Sequence, residues 1–316
     1  MIFGEPEKMD ATDVRIFLEM GFKDPGHQGL MDRQASPSTI GKKLKLDEKT
    51  VRIRVKRMED EGFIKYYQAI PSLSLFGLNS VGLFRLEAHN LTTKLRALEH
   101  AHQLPGVVES SDYLGPSISV LLAGSSTSEV HRLADQITNR FELHSLSLWD
   151  RELNQPINKP DRLDWMIVQK LRYDAYCSVK EVADAFAITP RMAQYRIAKL
   201  LKSGALQVRA VTNTQKQGGL VFYEMEISAD ETRISAVIKQ LRETHGERLW
   251  SVQSSKGVIL ANLFGFTLGE PEQAAVRSQE TDGVGRCVLF ILKEVIEPRR
   301  PNWIDELIEK ETFRAG

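Results

Sequence analysis

The sequence predicts an α+β fold: a winged helix-turn-helix followed by a β-α-β-β-α-β unit, with the pair occurring twice in 316 residues. Three observations predict it. Ser36 to Gln68 has the pattern of two short helices and an extended wing. The pattern then returns 142 positions later, and each occurrence is followed by apolar runs alternating with amphipathic stretches.

In the first occurrence Ile40, Leu44 and Leu46 are spaced for a short helix ending in a turn, and Asp47 stands where a helix cap belongs. Val51, Val55 and Met58 form the buried stripe of the next helix, leaving Lys49, Arg52, Lys56 and Arg57 on or near its outer face. Gly62 stops it, and Phe63 to Ile70 is extended. Such a unit presents one helix to the major groove of DNA.

Shifting the sequence by 142 lays Ile40 on Val182, Leu44 on Phe186, Leu46 on Ile188, Arg54 on Arg196, Val55 on Ile197, Met58 on Leu200 and Gly62 on Gly204. Gly77 falls on Gly219 and Gly115 on Gly257. The expectation is a tandem duplication, with winged units at 9–70 and 161–213, β-α-β-β-α-β units at 71–153 and 214–297, a linker at 154–160 and a closing helix at 298–316. The linker, Asn154 to Pro160, is polar and carries prolines.

Taken in order, Asp13 to Met20 is the first helix, matched by Leu163 to Leu171 with Asp164 on Asp13. The stretch from Gly21 to Ala35 reads as a loop, in which His27 is a solvated histidine. Strands are expected at Leu78 to Ala88, Val107 to Leu114, Ile118 to Ala123 and Glu142 to Arg151, with helices at Leu91 to His102 and Ser128 to Phe141. The second half repeats this. Helices near Arg162 to Arg172, Val179 to Phe186 and Pro190 to Lys202 precede a wing at Ala205 to Thr212. Strands follow at Leu220 to Ile227, Glu247 to Ser254, Val258 to Phe266 and Arg286 to Val295, with helices near Glu231 to Thr244 and Glu270 to Gln279. In the closing helix Trp303, Ile304, Leu307 and Ile308 share a face, which serves either packing on its own chain or self-association.

Formal net charge is zero, so DNA contact has to come from local patches. Ser36 to Tyr67 holds nine Lys and Arg against five Asp and Glu, and Ser178 to Asn213 holds six against two. Cys177 and Cys287 lack metal-ligand spacing and read as reduced thiols. No apolar run reaches the length of a membrane span and the N-terminus lacks signal-peptide features, so an intracellular protein with no membrane partner and no cofactor is expected.

Thr50-Val51, Arg54-Val55, Met58-Glu59 and Glu61-Gly62-Phe63-Ile64 resemble the winged helix-turn-helix of the Lrp/AsnC (feast/famine) transcription regulators. The resemblance implies that each β-α-β-β-α-β unit is a ferredoxin-like RAM (ACT-like) domain. It also implies double-stranded DNA as a partner and self-association through the RAM sheets. The DNA-binding candidates are Lys49, Thr50, Arg52, Ile53, Arg54, Lys56 and Arg57 in the first recognition helix, and Arg191, Gln194, Tyr195, Arg196 and Lys199 in the second. Early positions reach base edges and later cations meet phosphates. Arg54 serves either a phosphate or an intradomain salt bridge to an acid such as Glu59 or Glu61.

Members of that family carry a Gly-x-x-Asp turn beside a small-molecule effector cleft. Gly115 and Gly257 are the corresponding ligand-binding candidates, but Ile118 and Leu260 replace the acid, so amino-acid sensing of the usual kind is not expected. Siroheme decarboxylases resemble a catalytic reuse of the same fold, with His and Arg near a tetrapyrrole cavity and an Asn-Trp-Phe segment. This chain has Ser117-Ile118-Ser119 and Val258-Ile259-Leu260 there, and five histidines, His89, His100, His102, His131 and His144, against His245 alone in the second half. A DNA-binding regulator that is not an enzyme is the reading taken from sequence; the alternatives are a protein-interaction module that has lost DNA binding and a decarboxylase-like enzyme.

Overall fold

The computed structural model describes residues 8–20, 37–213, 216 and 218–314; the Gly21 to Ala35 loop and His27 lie outside them. The first head consists of α1 (Ala11–Glu19), α2 (Pro37–Leu44) and α3 (Glu48–Asp60), with β1 (Ile64–Pro71) as its wing. β2 (Ser80–Glu87), α4 (Leu91–Ala101), β3 (Val107–Tyr113), β4 (Ser117–Gly124), α5 (Thr127–Phe141) and β5 (His144–Glu152) follow. The succession then recurs. α6 (Arg162–Leu171), α7 (Val179–Ala185), α8 (Pro190–Lys202) and the wing β6 (Leu206–Thr212) form the second head. After it come β7 (Val221–Ala229), α9 (Ile234–His245), β8 (Leu249–Ser255), β9 (Val258–Gly265), α10 (Gly269–Gln279) and β10 (Val284–Ile296). The chain closes with α11 (Trp303–Arg314).

Local chemistry sets the recognition helices. The Asp47 carboxylate accepts the Thr50 N–H at 2.8 Å and the Thr189 hydroxyl accepts the Met192 N–H at 3.2 Å, each satisfying a donor that the first helical turn leaves unpaired. Pro190 occupies the first turn of α8, where its missing N–H costs nothing. Backbone geometry recurs at the same 142-residue interval. Lys45 and Ala187, in the turns before α3 and α8, have φ of 58° and 51°, and Gly62 and Gly204, which end those helices, have 76° and 74°. A side chain at either glycine would be held in the left-handed region, which explains glycine there.

The strands form an eight-stranded antiparallel sheet, β5-β2-β4-β3-β10-β7-β9-β8. Phe84, Leu86, Ile118, Val120 and Leu122 pack with residues of α4 and α5 on one face, and Tyr223, Met225, Ile227, Ile259, Ala261 and Leu263 pack with residues of α9 and α10. Alternation turns the intervening residues to the opposite face. The two halves join where β10 pairs with β3, Leu292 opposite Tyr113 and Ile296 opposite Ser110. The counterpart strands of the other half, β5 and β8, are the edges of the sheet and are not paired to each other. Lys256 Nζ, just past β8, reaches Asp150 of β5 at 3.1 Å.

The wings form their own two-stranded sheet, Tyr67 opposite Ala210 and Gln68 opposite Arg209. Because Tyr67 corresponds to Arg209 and Gln68 to Ala210 under the 142-residue shift, this register is symmetric about its midpoint. The two heads are therefore joined by equivalent strands, as in a two-fold contact between subunits.

α11 lies against α6, with Ile304 and Ile308 buried, and Trp303 Nε1 donates to the Val107 carbonyl at 2.8 Å. Asp305 accepts from Arg172 Nε at 2.8 Å and from the Tyr173 hydroxyl. Part of the closing helix's apolar face is thus spent on its own chain. The pairing of sheets expected between subunits is made within the chain by β3 and β10.

Candidate nucleic-acid interface and interior cavity

Each head is held by an ion-pair network that the sequence did not disclose. In α1, Asp10 and Asp13 form a reciprocal capping box, and Asp161 and Asp164 do so in α6. Asp13 and Asp164 are wholly buried. Arg54 Nη1 reaches Asp13 at 2.8 Å and Asp10 at 2.9 Å, and Arg57 Nη2 donates to the other Asp13 oxygen. Arg196 Nη1 reaches both Asp161 Oδ2 and Asp164 at 2.7 Å, and Lys199 Nζ reaches Asp164 at 3.2 Å. A buried carboxylate requires such partners, because an unpaired charge in that position would cost several kcal/mol.

Ionisation follows the same geometry. Burial works to raise the Asp10 carboxyl, but the Asp13 N–H and Arg54 hold it below the usual carboxylate range. At Asp161 burial is likewise outweighed, by Arg196 and the Asp164 N–H. Arg54 and Arg196 are both raised: at Arg54 the pairs to Asp13 and Asp10 outweigh burial, and at Arg196 the bond to Asp161 leads.

This changes the roles expected for four cations. Arg54 pairs with α1 and not with Glu59 or Glu61, and Arg57, Arg196 and Lys199 are also drawn inward. The matches of Asp13 with Asp164 and of Arg54 with Arg196 were the available signal: opposite charges kept together in both halves of the chain. Thr50 is partly absorbed by the cap, its hydroxyl donating to Asp47. What remains outward on α3 is Lys49, Arg52, Ile53 and Lys56, and on α8 Arg191, Gln194 and Tyr195. Arg52 and Lys56 make exposed pairs with Glu48 and Asp60 one turn away, weak enough to yield to a phosphate. Ile53 and Tyr195, at equivalent positions, are 58% and 68% exposed.

Gly115 and Gly257 have φ of 81° and 79°, the geometry of tight turns. The Gly115 carbonyl accepts from Lys94 Nζ at 2.6 Å. These contacts account for the turns without a ligand. Among the described residues no group of three or more His, Cys, Asp or Glu is placed to hold a metal, no helix is long and apolar enough to cross a membrane, and Cys177 and Cys287 form no disulfide.

A second feature went unanticipated: a cavity of about 790 Å³ between the inner faces of the two half-sheets and the wing pair. Val81, Leu83, Leu121, Phe222, Leu260, Trp149 and Trp250 line it from the sheet, Ile70, Gln207 and Val208 from the wings, and Leu73 from the turn after β1. Beside it the buried Arg85 guanidinium lies 4.3 Å from the Tyr113 ring centroid and 4.0 Å from that of Phe290, and pairs with Glu224. Burial pushes the neighbouring Glu226 carboxyl up, against the pull of Arg85. Arg209 is paired with Glu109 and Glu297. Alternation along the strands was legible in the sequence, but not which faces would meet.

No family model matches the chain. Over 106 residues it is 27% identical to an uncharacterised HTH-type transcriptional regulator of Pyrococcus horikoshii, a match spanning 33% of this chain and 65% of that protein, somewhat under two thirds of the relative's length. In three dimensions it is similar to the siroheme decarboxylase NirDL, with a TM-score of 0.54 and 13% identity over 96% of this chain and 97% of that one. The co-complex of NirDL with an iron-uroporphyrin III analogue gives a TM-score of 0.55 and 15% identity over 97% and 99%. AsnC of E. coli aligns over 46% of this chain and 98% of its own, with a TM-score of 0.36 and 15% identity. The NirDL likeness is one of fold.

Proposed function

We propose that the chain is a sequence-specific DNA-binding transcription regulator of Lrp/AsnC type that carries two reading heads produced by tandem duplication. The observation that carries this is the pair Ile53 and Tyr195: at one equivalent position, both recognition helices expose a large apolar side chain that no packing inside the head requires. Water gives such a side chain nothing, whereas a major groove offers thymine methyl groups and stacked base edges. Lys49, Arg52 and Lys56 flank Ile53, and Arg191 and Gln194 flank Tyr195, supplying phosphate and base-edge contacts. The resemblance of the first helix-turn-helix to that family, together with the Pyrococcus regulator, supports the reading. Selection of bound fragments from genomic DNA by the full chain tests it. Enrichment of one defined site is expected; recovery no better than random fragments contradicts it.

A second reading is favoured by the cavity and by the full-length likeness to a siroheme decarboxylase. A uroporphyrin-type tetrapyrrole is a polycarboxylate, so a site for it requires an excess of cations. Among the described lining residues Arg151 and Arg209 are offset by Glu109, Glu152 and Glu224, and no histidine or lysine is present. We therefore infer that the chain is not such an enzyme. Titration with iron-uroporphyrin is expected to give no saturable change in absorbance; a one-to-one complex reverses that inference.

A further inference from the structure

We infer that the cavity is a binding site for a predominantly apolar, non-anionic small molecule, entered through the unpaired seam between β5 and β8. The volume of about 790 Å³ lies within the range of small-molecule pockets. An occupant of matching shape displaces water from that apolar wall and so stabilises the fold.

The chemistry of the wall selects the occupant. Val81, Leu83, Leu121, Phe222 and Leu260 make the surface largely apolar. Arg209 is matched by Glu109 and Glu297 and Glu224 by Arg85, and with Arg151 and Glu152 included the acids of the wall outnumber its arginines, so an anionic guest finds no excess of positive charge. Trp149, 7% exposed, adds the face of a large ring to this wall.

The wall also shows the way in. The other seam is closed by strand pairing of β3 with β10, whereas β5 and β8 meet without pairing, where Lys256 reaches Asp150. Trp149 and Arg151 come to the cavity from β5, and Trp250 and Gln253 from β8.

Fluorescence titration of the full chain with three probes tests this: Prodan, a neutral naphthyl ketone; N-phenylnaphthylamine, neutral and without a carbonyl; and anionic anilinonaphthalenesulfonate. Expected are saturable one-to-one binding of both neutral probes and at least tenfold weaker binding of the anion. Leu121→Trp fills the cavity and should weaken the neutral probes at least tenfold. Leu83→Trp, on the residue opposite Leu121 in the neighbouring strand, should do the same and serves if Leu121→Trp does not fold. Absence of saturable binding by the neutral probes overturns the site. So does binding untouched by whichever filling variant folds. Equal affinity for the anion overturns the assigned ligand class.

Discussion

The two heads are alike inside and different outside. Inside, a buried aspartate on the first helix is clamped by two cations of the recognition helix, Asp13 by Arg54 and Arg57, Asp164 by Arg196 and Lys199. Outside, Lys49, Arg52, Ile53 and Lys56 stand where the second head has Arg191, Gln194, Tyr195 and Ala198. The inner set is constrained by the cost of an unpaired buried charge, which is the same in both heads. The outer set packs against nothing inside the head, so it is free to differ between the two. Cations of one helix therefore divide into inward clamps and outward side chains, a division that outward spacing alone does not make.

The largest effect should come from breaking the clamps. Asp13→Ala and Asp164→Ala are each expected to cost about 2–4 kcal/mol, towards the low end for a broken buried pair because the stranded cations keep between a fifth and a third of their side-chain exposure. Thermal or urea unfolding measures it. Equal costs support the likeness of the interiors, and a silent Asp164→Ala breaks it.

Next is the outer face. Arg52→Ala should weaken binding to the selected DNA by about 1–3 kcal/mol if it makes a bidentate base contact, while Gln194→Ala costs less and relaxes preference at one position. Titrating both variants against the site and its point-mutated forms would reverse the assignment of the first head as principal reader if Gln194→Ala proved the more damaging.

Salt dependence separates clamps from phosphate contacts. Replacing Lys49 and Lys56 together by Ala should flatten the log-log salt slope by up to about two units, whereas Arg57→Ala should lower stability and leave the slope nearly unchanged. A slope that moves with Arg57 and not with the lysines would return Arg57 to the reading surface.

The smallest effect concerns acid. Asp10 and Asp161 are held below the ordinary carboxylate range in the folded chain, so the stability they contribute is present above their unfolded pKa near ~4 and is lost as pH falls through the folded value. Both carboxylates are about half exposed, which keeps the contribution small. Asp10→Asn and Asp161→Asn should each blunt the loss of stability below about pH 4 to a similar degree. Unequal blunting would again separate the heads.

Much of the architecture was legible because helices and strands write local periods into the chain. Val51, Val55 and Met58 marked α3, Gly62 its end, and the 142-residue shift predicted where backbone geometry would recur. Pairings across the chain were not legible. Alternation says which residues share a face, but β1 with β6 and β3 with β10 join strands more than a hundred residues apart, whose register depends on both partners. The cavity follows from those pairings and was hidden for the same reason. Arg57 was placed on or near the outer face because it lies outside the Val51, Val55 and Met58 stripe; its long side chain instead turns back to Asp13 on another helix. The closing helix showed an apolar face, and only its contacts with α6, the Val107 carbonyl and Arg172 identify what covers it.

The central claim, two unlike reading heads on one chain, is tested most directly by footprinting the full chain on its selected DNA site beside Arg52→Ala and Gln194→Ala. Two protected half-sites of different sequence are expected, with Arg52→Ala weakening protection of one and Gln194→Ala of the other. A perfect palindrome whose halves fade together in both variants, or no protected site at all, would contradict it.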